Sequence, residues 1–168
     1  MNNIVFEHVV KAYGKNVIVN NLNMEIREGE RLILLGPSGC GKSTLASLLM
    51  ERNRGFSGSL TVGGVPITEL SESSLMEHFT YVSHQSYLFK GTVRDNLLMA
   101  RPDADDAALW QVLEQVNLAS FLRSQQGLDT ILLEKGGNFS GGQCQRLALA
   151  RALLHDSPVY IFDEATSN

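Results

Sequence analysis

The chain has 168 residues, 43% of them hydrophobic, so it can bury one substantial core and is neither a peptide nor a linker. Fourteen lysines and arginines against 18 aspartates and glutamates leave a net charge of −4, which gives no general attraction to nucleic acid or acidic membranes. The apolar runs are far shorter than the roughly 20 residues of a membrane span, and the N-terminus carries no secretory signal, so a cytosolic chain is expected.

The first third of the chain is predicted to form strands, at residues 4–10, 17–22 and 31–35. The third of these is an apolar run that ends abruptly at a glycine, which is typical of a buried strand entering a turn. Residues 42–50 combine good helix formers with regularly spaced leucines, so a helix is predicted directly after that turn. Two further extended segments, 59–62 and 81–83, make this part of the chain β-rich.

Helical patterns replace strand alternation between residues 85 and 139, which predicts an inserted helical lobe. Thr92 and Asp95 have the spacing of a helix-capping pair, and residues 107–116 carry apolar side chains at helical spacing. Both segments are therefore expected to be helices.

The most clearly delimited helix follows this lobe. Ser140 and Gln143 form an S-x-x-Q capping box before an apolar stripe, and Pro158 ends the segment. A short apolar strand at 159–162 then delivers Asp163 at its carboxyl end, where open α/β sheets place their ligands.

Residues 36–43 read GPSGCGKS, a complete match to G-x-x-x-x-G-K-[ST] between a predicted strand and a predicted helix. Glycines at this spacing let successive backbone N–H groups curl around phosphate oxygens. Lys42 is expected to contact the β and γ phosphates, and the Ser43 hydroxyl to ligate Mg²⁺. The alternative is a glycine-rich turn without a ligand, and the lysine, the hydroxyl and both flanking elements argue against it.

Two adjacent carboxylates fit the second half of such a site. Asp163 can hold Mg²⁺, while Glu164 can take a proton from an attacking water. The two cysteines and four histidines show no zinc-binding spacing, so oxygen ligands are expected for any metal. An acidic pair after a strand is usually only a polar turn. A catalytic role is favoured here because the chain also contains the phosphate loop.

Residues 139–143 read FSGGQ, and Gln145 and Arg146 follow. This segment resembles the LSGGQ signature of ATP-binding cassette (ABC) proteins, with Phe139 in place of the usual leucine. Residues 158–168, PVYIFDEATSN, resemble the Walker B strand and the loop after it. The resemblance covers nearly the whole chain. A serine and two glycines at a helix N-terminus also make physical sense as an anion site, although an ordinary capped helix start is the alternative.

The resemblance implies an α/β fold, with a P-loop NTPase core of the ABC type, an N-terminal antiparallel β subdomain and an inserted helical subdomain. One domain is expected over 1–168, with a β-rich core and Walker A at 1–85, a helical subdomain at 86–139, and the signature helix and Walker B at 140–168. The family's remaining strands, switch histidine and final helices are expected to be missing, so apolar surface should be exposed.

The resemblance also implies a site for ATP and Mg²⁺. Tyr13 is expected to stack on adenine, Lys42, Gln85 and Glu164 to be catalytic, and Ser43, Gln85 and Asp163 to hold the metal. The remaining contacts to ATP, in this chain or from a second subunit, are assigned to Gly36, Pro37, Ser38, Gly39, Cys40, Gly41, Thr44, Ser140, Gly141, Gly142 and Gln143.

Residues 86–97 and 130–139 resemble the exporter branch of the family. The implied function is ATP hydrolysis that energises an ABC membrane exporter, at the cytoplasmic face of the membrane. The implied partners are the exporter's transmembrane domain and a second ABC ATPase domain, in a head-to-tail homo- or heterodimer, with no nucleic acid. The alternatives are a soluble ABC ATPase acting on nucleic acid, which would predict basic patches that are not visible, and a soluble nucleotide-binding fragment without turnover.

Such a dimer would bring Cys40 of one copy near Cys144 of the other, so a disulfide between copies is a further hypothesis. The alternative is that both are small residues tolerated at packed turns.

Overall fold

The computed structural model describes residues 3–34, 39–50, 55–83 and 87–163. The chain divides into two compact units, Met1–Phe79 and Thr80–Asn168. Among the helices of the described residues, none combines the length and the apolar composition that a bilayer crossing requires.

The first unit is built on a four-stranded antiparallel sheet in the order β2-β1-β3-β4. Its strands are β1 (Ile4–Tyr13), β2 (Asn16–Ile26), β3 (Ser57–Val62) and β4 (Val65–Pro66). β1 and β2 form a hairpin in which Tyr13 pairs with Asn16, so the connecting turn has two residues. The expected N-terminal antiparallel subdomain is confirmed, with longer first strands than the sequence predicted.

A β-bulge at His8 changes which residues of β1 face the core. The pairing with β2 shifts register between Phe6 and Val9, and His8 has a φ of 51°. Phe6 is buried before the bulge, and Val9 and Lys11 are buried after it. Since side chains alternate along a strand, the extra residue places Lys11 and Tyr13 on the core side of β1.

Neighbouring strands support this bulge. The His8 N–H donates to Asn23 Oδ1 at 2.9 Å, and the His8 ring contacts Asn21 Oδ1 through Nδ1 at 2.8 Å. β3 passes so close that a Cβ on Gly58 would lie 2.4 Å from the His8 carbonyl oxygen. Only glycine fits there, so β2 and β3 both fix the bulge.

The described part of the first unit also contains the helices α1 (Lys42–Leu49) and α2 (Glu72–His78). A 3₁₀ turn, Ile67–Glu69, follows β4. The predicted helix at 42–50 is confirmed, and it buries Leu45, Leu48 and Leu49 as its apolar spacing indicates.

The buried strand predicted at 31–35 is not found in the part of it that the structure describes. Residues 31–34 have no regular secondary structure, and the side chains of Leu32, Ile33 and Leu34 are 43%, 77% and 41% exposed. A buried parallel strand needs partner strands at its edges and helices over its faces. Among the described strands none pairs with these residues. The prediction was therefore wrong here, although the expected exposed apolar surface is present.

The second unit is mainly helical. Its helices are α3 (Val93–Leu98), α4 (Asp106–Gln115), α5 (Ala119–Arg123) and α6 (Gly141–His155). Its short strands β6 (Gly91–Thr92) and β7 (Ile131–Leu132) pair with each other, and β5 (Phe79–Ser83) pairs with β8 (Val159–Asp163).

The core of the second unit lies between α3, α4 and α6. Leu97, Leu113 and Leu147 are completely buried, and burial of a leucine contributes about 1.5–3 kcal/mol. Thr92 and Asp95 cap α3 reciprocally, as predicted. The Thr92 N–H donates to the Asp95 carboxylate and holds the pKa of that carboxyl below its ordinary value.

Candidate functional site

The N-terminus of α1 is left open for an anion. The helix begins at Lys42, after Gly41 in the left-handed conformation, and neither a capping side chain nor an acidic residue of its first turn is present among the described residues. The first N–H groups of a helix have no partner within the helix, and they carry the positive end of its dipole. This helix start can therefore bind a negatively charged group such as a phosphate.

Gly41 is required here by packing as well as by conformation. Its φ is 98°, and a Cβ on it would lie 3.1 Å from Ile18 Cγ2 and 3.2 Å from the Ile18 carbonyl oxygen in β2. The sequence analysis explained this glycine only by the close approach of a phosphate. The structure adds the close packing of α1 on β2.

Polar side chains line the same helix start. The Lys42 ammonium lies 3.5 Å from Cys40 Sγ, and Cys40 and Ser43 are exposed. A primary ammonium and a short hydroxyl beside free backbone donors are the groups that bind a Mg²⁺-polyphosphate. Of the predicted loop contacts, Gly39, Cys40, Gly41, Lys42, Ser43 and Thr44 are described, whereas Gly36, Pro37 and Ser38 lie outside the described residues.

An exposed aromatic ring lies at the end of the β1–β2 hairpin in the same unit. Tyr13 is the last residue of β1 and is 47% exposed. The ammonium of Lys11 lies over its ring, 4.9 Å from the ring centroid. Sequence reasoning missed Lys11, and the available signal was a lysine two residues before Tyr13 in a mostly apolar strand.

Strand pairing brings the hairpin end and α1 to neighbouring positions. Ile18, which Gly41 contacts, follows Val17 in β2, and Val17 pairs with Ala12, the residue before Tyr13. An aromatic ring and an open helix N-terminus therefore belong to adjacent parts of one unit. This arrangement suits a ligand that carries a flat ring and an anionic group.

The N-terminus of α6 in the second unit is closed by its own side chains. The Gln143 N–H donates to Ser140 Oγ at 3.2 Å, and the Ser140 N–H donates to Gln143 Oε1 at 2.8 Å. The predicted capping box is confirmed. Ser140 and Gly141 are exposed, so the Ser140 hydroxyl, which accepts from Gln143, keeps its proton for a ligand.

Cys144 is turned into its own unit. Its thiol donates to the Gly136 carbonyl at 3.6 Å, and a Cβ on Gly136 would lie 2.7 Å from Sγ. Burial raises the pKa of the Cys144 thiol. A disulfide with Cys40 of another copy would require this side chain to leave its packed position, so the geometry argues against that hypothesis.

The remaining predicted residues are the second group assigned to catalysis and to Mg²⁺. Asp163 ends β8, at the carboxyl end of the strand as predicted. Gln85 and Glu164 lie outside the described residues. Within the described ranges, three or more His, Cys, Asp or Glu side chains do not gather as a preformed metal cluster. The exposed Ser43 hydroxyl beside an open helix start still fits a Mg²⁺ ion that arrives with a polyphosphate.

Comparison with known proteins identifies a family. Residues 19–167 match the family model described as ABC transporter. A Haemophilus influenzae protein named as an uncharacterized ABC transporter ATP-binding protein is 51% identical over 150 residues, which are 89% of this chain and 27% of that protein. The ATP-dependent lipid A-core flippase of Neisseria gonorrhoeae is 39% identical over 167 residues, 98% of this chain and 27% of the flippase.

A solved structure gives the same result for the fold. It is described as a bacterial Atm1-family ABC exporter with ATP bound, and it matches with a TM-score of 0.91 and 34% identity over 98% of this chain and 29% of the exporter chain. The chain thus spans under a third of the length of these relatives.

Proposed function

The chain belongs to the ABC transporter family, as an ATPase domain of the exporter type, and we propose that it binds Mg·ATP and hydrolyses it to drive an exporter. The observation that carries the proposal is the start of α1, which has Lys42 as its first residue and no side-chain cap among the described residues. A bound phosphate completes that helix end.

The chain's residues divide the work on ATP. Tyr13 stacks on adenine, the backbone N–H groups of residues 39–44 bind phosphate oxygens, and Lys42 neutralises charge on the β and γ phosphates. Ser43, Gln85 and Asp163 hold Mg²⁺, which supplies further charge neutralisation when bound.

Glu164 acts as the general base. It takes a proton from the water that attacks the γ phosphorus, while the bond from that phosphorus to the bridging oxygen breaks and ADP leaves. Gln85 helps to orient this water.

The exposed start of α6 supports a role between two domains. Its exposed Ser140 hydroxyl and its glycines bind the phosphates of an ATP held by a second ABC ATPase domain, in a head-to-tail homo- or heterodimer. The transmembrane domain of an exporter is the other partner. A Haemophilus influenzae relative is named as an ATP-binding/permease protein, and the flippase is named as ATP-dependent. The domain then works at the cytoplasmic face of the membrane.

Calorimetry with Mg·ATP tests the binding site. Lys42→Ala removes a charge-assisted phosphate contact and is expected to weaken binding by roughly 10- to 150-fold. Arg27→Ala is the matched control, because it removes one positive charge just beyond Ile26, the end of β2 opposite the Tyr13 hairpin. Equal affinities for the folded wild type and Lys42→Ala would contradict the proposal.

Glu164→Gln tests hydrolysis in the protein that carries this domain. The amide keeps the shape of the side chain but is not a base, so turnover should fall roughly 100-fold or more while ATP binding persists. The exposed Glu69→Gln, in the same chain, serves as the control. Turnover within a few-fold of wild type in Glu164→Gln would exclude Glu164 as the base.

A further inference from the structure

Lys11 occupies a position that the fold otherwise gives to apolar residues. Its side chain is 5% exposed, and the preceding residues on its face of β1, Phe6 and Val9, are buried hydrophobic residues. Lysine is rarely buried without partners, because removing an ammonium from water is costly. An apolar residue would satisfy packing here more easily, so the charge requires its own explanation.

The Lys11 ammonium has two described partners in the same unit. It donates to the Gly55 carbonyl at 3.2 Å, and it lies over the Tyr13 ring at 4.9 Å from the centroid, within the range of a cation–π interaction. Lys11 and Tyr13 are two residues apart in one strand, so their side chains share a face. The lysine thereby connects the ring to the chain that leads into β3.

The Tyr13 ring is far more exposed than the Lys11 side chain that contacts it. It is about half exposed, at the end of β1 next to a two-residue turn, where packing alone leaves a side chain several rotamers. Contact with Lys11 restricts the ring from one face, and the exposed half remains available to a ligand.

We propose that Lys11 is a positioning residue, which holds the Tyr13 ring ready to stack on the adenine base. This inference rests on the proposed function, in which Tyr13 contacts adenine. Holding the ring in advance lowers the entropy lost on binding. The charge also withdraws electron density from the ring face, which reduces its repulsion with the π electrons of a stacked purine.

The test separates the base from the phosphates. Affinities for Mg·ATP and for Mg·tripolyphosphate, which lacks base and sugar, are measured for wild type, Lys11→Met, Lys11→Arg, Tyr13→Leu and the Lys11→Met/Tyr13→Leu double variant. Methionine keeps the length of the side chain and removes its charge, whereas arginine keeps a cation that can cover the ring.

The expected result is a loss of roughly 3- to 10-fold in ATP affinity for Lys11→Met, the usual scale of a cation–π contact. Tripolyphosphate affinity should not change, Lys11→Arg should restore most of the ATP affinity, and the double variant should bind ATP no more weakly than Tyr13→Leu. Lys11→Gln, which can still donate to the Gly55 carbonyl, should behave as Lys11→Met does, so the proposal stays testable if the methionine variant does not fold.

Other outcomes would overturn the proposal. An equal loss for both ligands would mean that Lys11 acts on the phosphates through its charge, and an additive loss in the double variant would mean that it acts independently of Tyr13. If Tyr13→Leu weakens ATP binding and Lys11→Met does not, only the positioning role fails. If Tyr13→Leu leaves ATP binding unchanged, the assignment of Tyr13 in the proposed function fails as well. If the Lys42→Ala variant binds ATP and tripolyphosphate as tightly as wild type does, the proposed phosphate site fails.

Discussion

The helices α1 and α6 both begin in glycine-containing segments, yet their first turns are completed in opposite ways. α1 follows Gly41 without a side-chain cap among the described residues, whereas α6 begins with the reciprocal box of Ser140 and Gln143. The cap of α6 belongs to the chain itself. The cap of α1 has to come from elsewhere.

This difference indicates which of the two helix N-termini a bound phosphate would complete. A side-chain oxygen at the start of α1 would occupy the N–H groups that a phosphate needs. At α6 the box satisfies two N–H groups and still leaves the Ser140 hydroxyl proton available. We therefore expect the start of α1 to depend on nucleotide and the start of α6 to be formed without it.

Hydrogen exchange would show this contrast most strongly. Mg·ATP at 100 times its dissociation constant adds about 2.7 kcal/mol of stability, so the first-turn amides of α1 should exchange roughly 100-fold more slowly. At concentrations that keep the protein monomeric, the first turn of α6 should respond much less. Equal added protection at both helix starts, measured by mass spectrometry, would remove the distinction.

Replacing one glycine in each helix start should change the free energy of unfolding in opposite directions. Gly41→Ala forces a residue with a Cβ to a φ of 98° against Ile18, at a cost of about 1–2 kcal/mol. Gly142→Ala meets nothing closer than 4.0 Å, and alanine favours a helix by up to about 1 kcal/mol. Urea denaturation of both variants checks the signs, and stabilisation of Gly41→Ala would contradict the assigned geometry.

Removing the cap of α6 should cost stability in the absence of nucleotide. Ser140→Ala deletes the acceptor of the Gln143 N–H, and loss of such a cap costs about 1 kcal/mol. Ser47→Ala in α1 is the control, since that hydroxyl donates to the Ser43 carbonyl within the helix and caps nothing. Denaturant titration should show a lower midpoint for Ser140→Ala alone.

Alkylation gives the smallest and simplest contrast. Cys40 is exposed near the start of α1, whereas Cys144 packs on Gly136 and its pKa is raised by burial. Since the thiolate is the reactive form, iodoacetamide should modify Cys144 more slowly than Cys40 at neutral pH, and the rate at Cys144 should go on rising with pH beyond the ordinary pKa of a thiol. ATP should protect Cys40 and leave Cys144 unaffected, as peptide mass spectrometry would show.

Local patterns in the sequence were the most reliable guide to this fold. The box at Ser140, the capping pair at Thr92 and the leucine spacing of α1 depend on residues within one or two turns, and all three are confirmed. The strand predicted at 31–35 failed over its described part, because its burial depends on partners distant in sequence.

The candidate site was predicted unevenly for the same reason. The open start of α1 follows from its own sequence, but the contact of Gly41 with Ile18 and the burial of Lys11 arise from strand pairing that no short motif encodes. The orientation of Cys144 depends on the turn at Gly136, which sequence reasoning did not place beside it. Gln85 and Glu164 lie outside the described residues, so their roles stay predictions.

The bulge at His8 determines on which face of the sheet each later side chain of β1 lies. Four residues lie between His8 and Tyr13, so a single deletion among them would rotate the tyrosine by half a strand period, to the opposite surface of the sheet. The turn could still close and the strand could still pair. Only the orientation of the Tyr13 ring would be lost. The number of residues between His8 and Tyr13 is therefore under tighter constraint than the identity of most side chains between them.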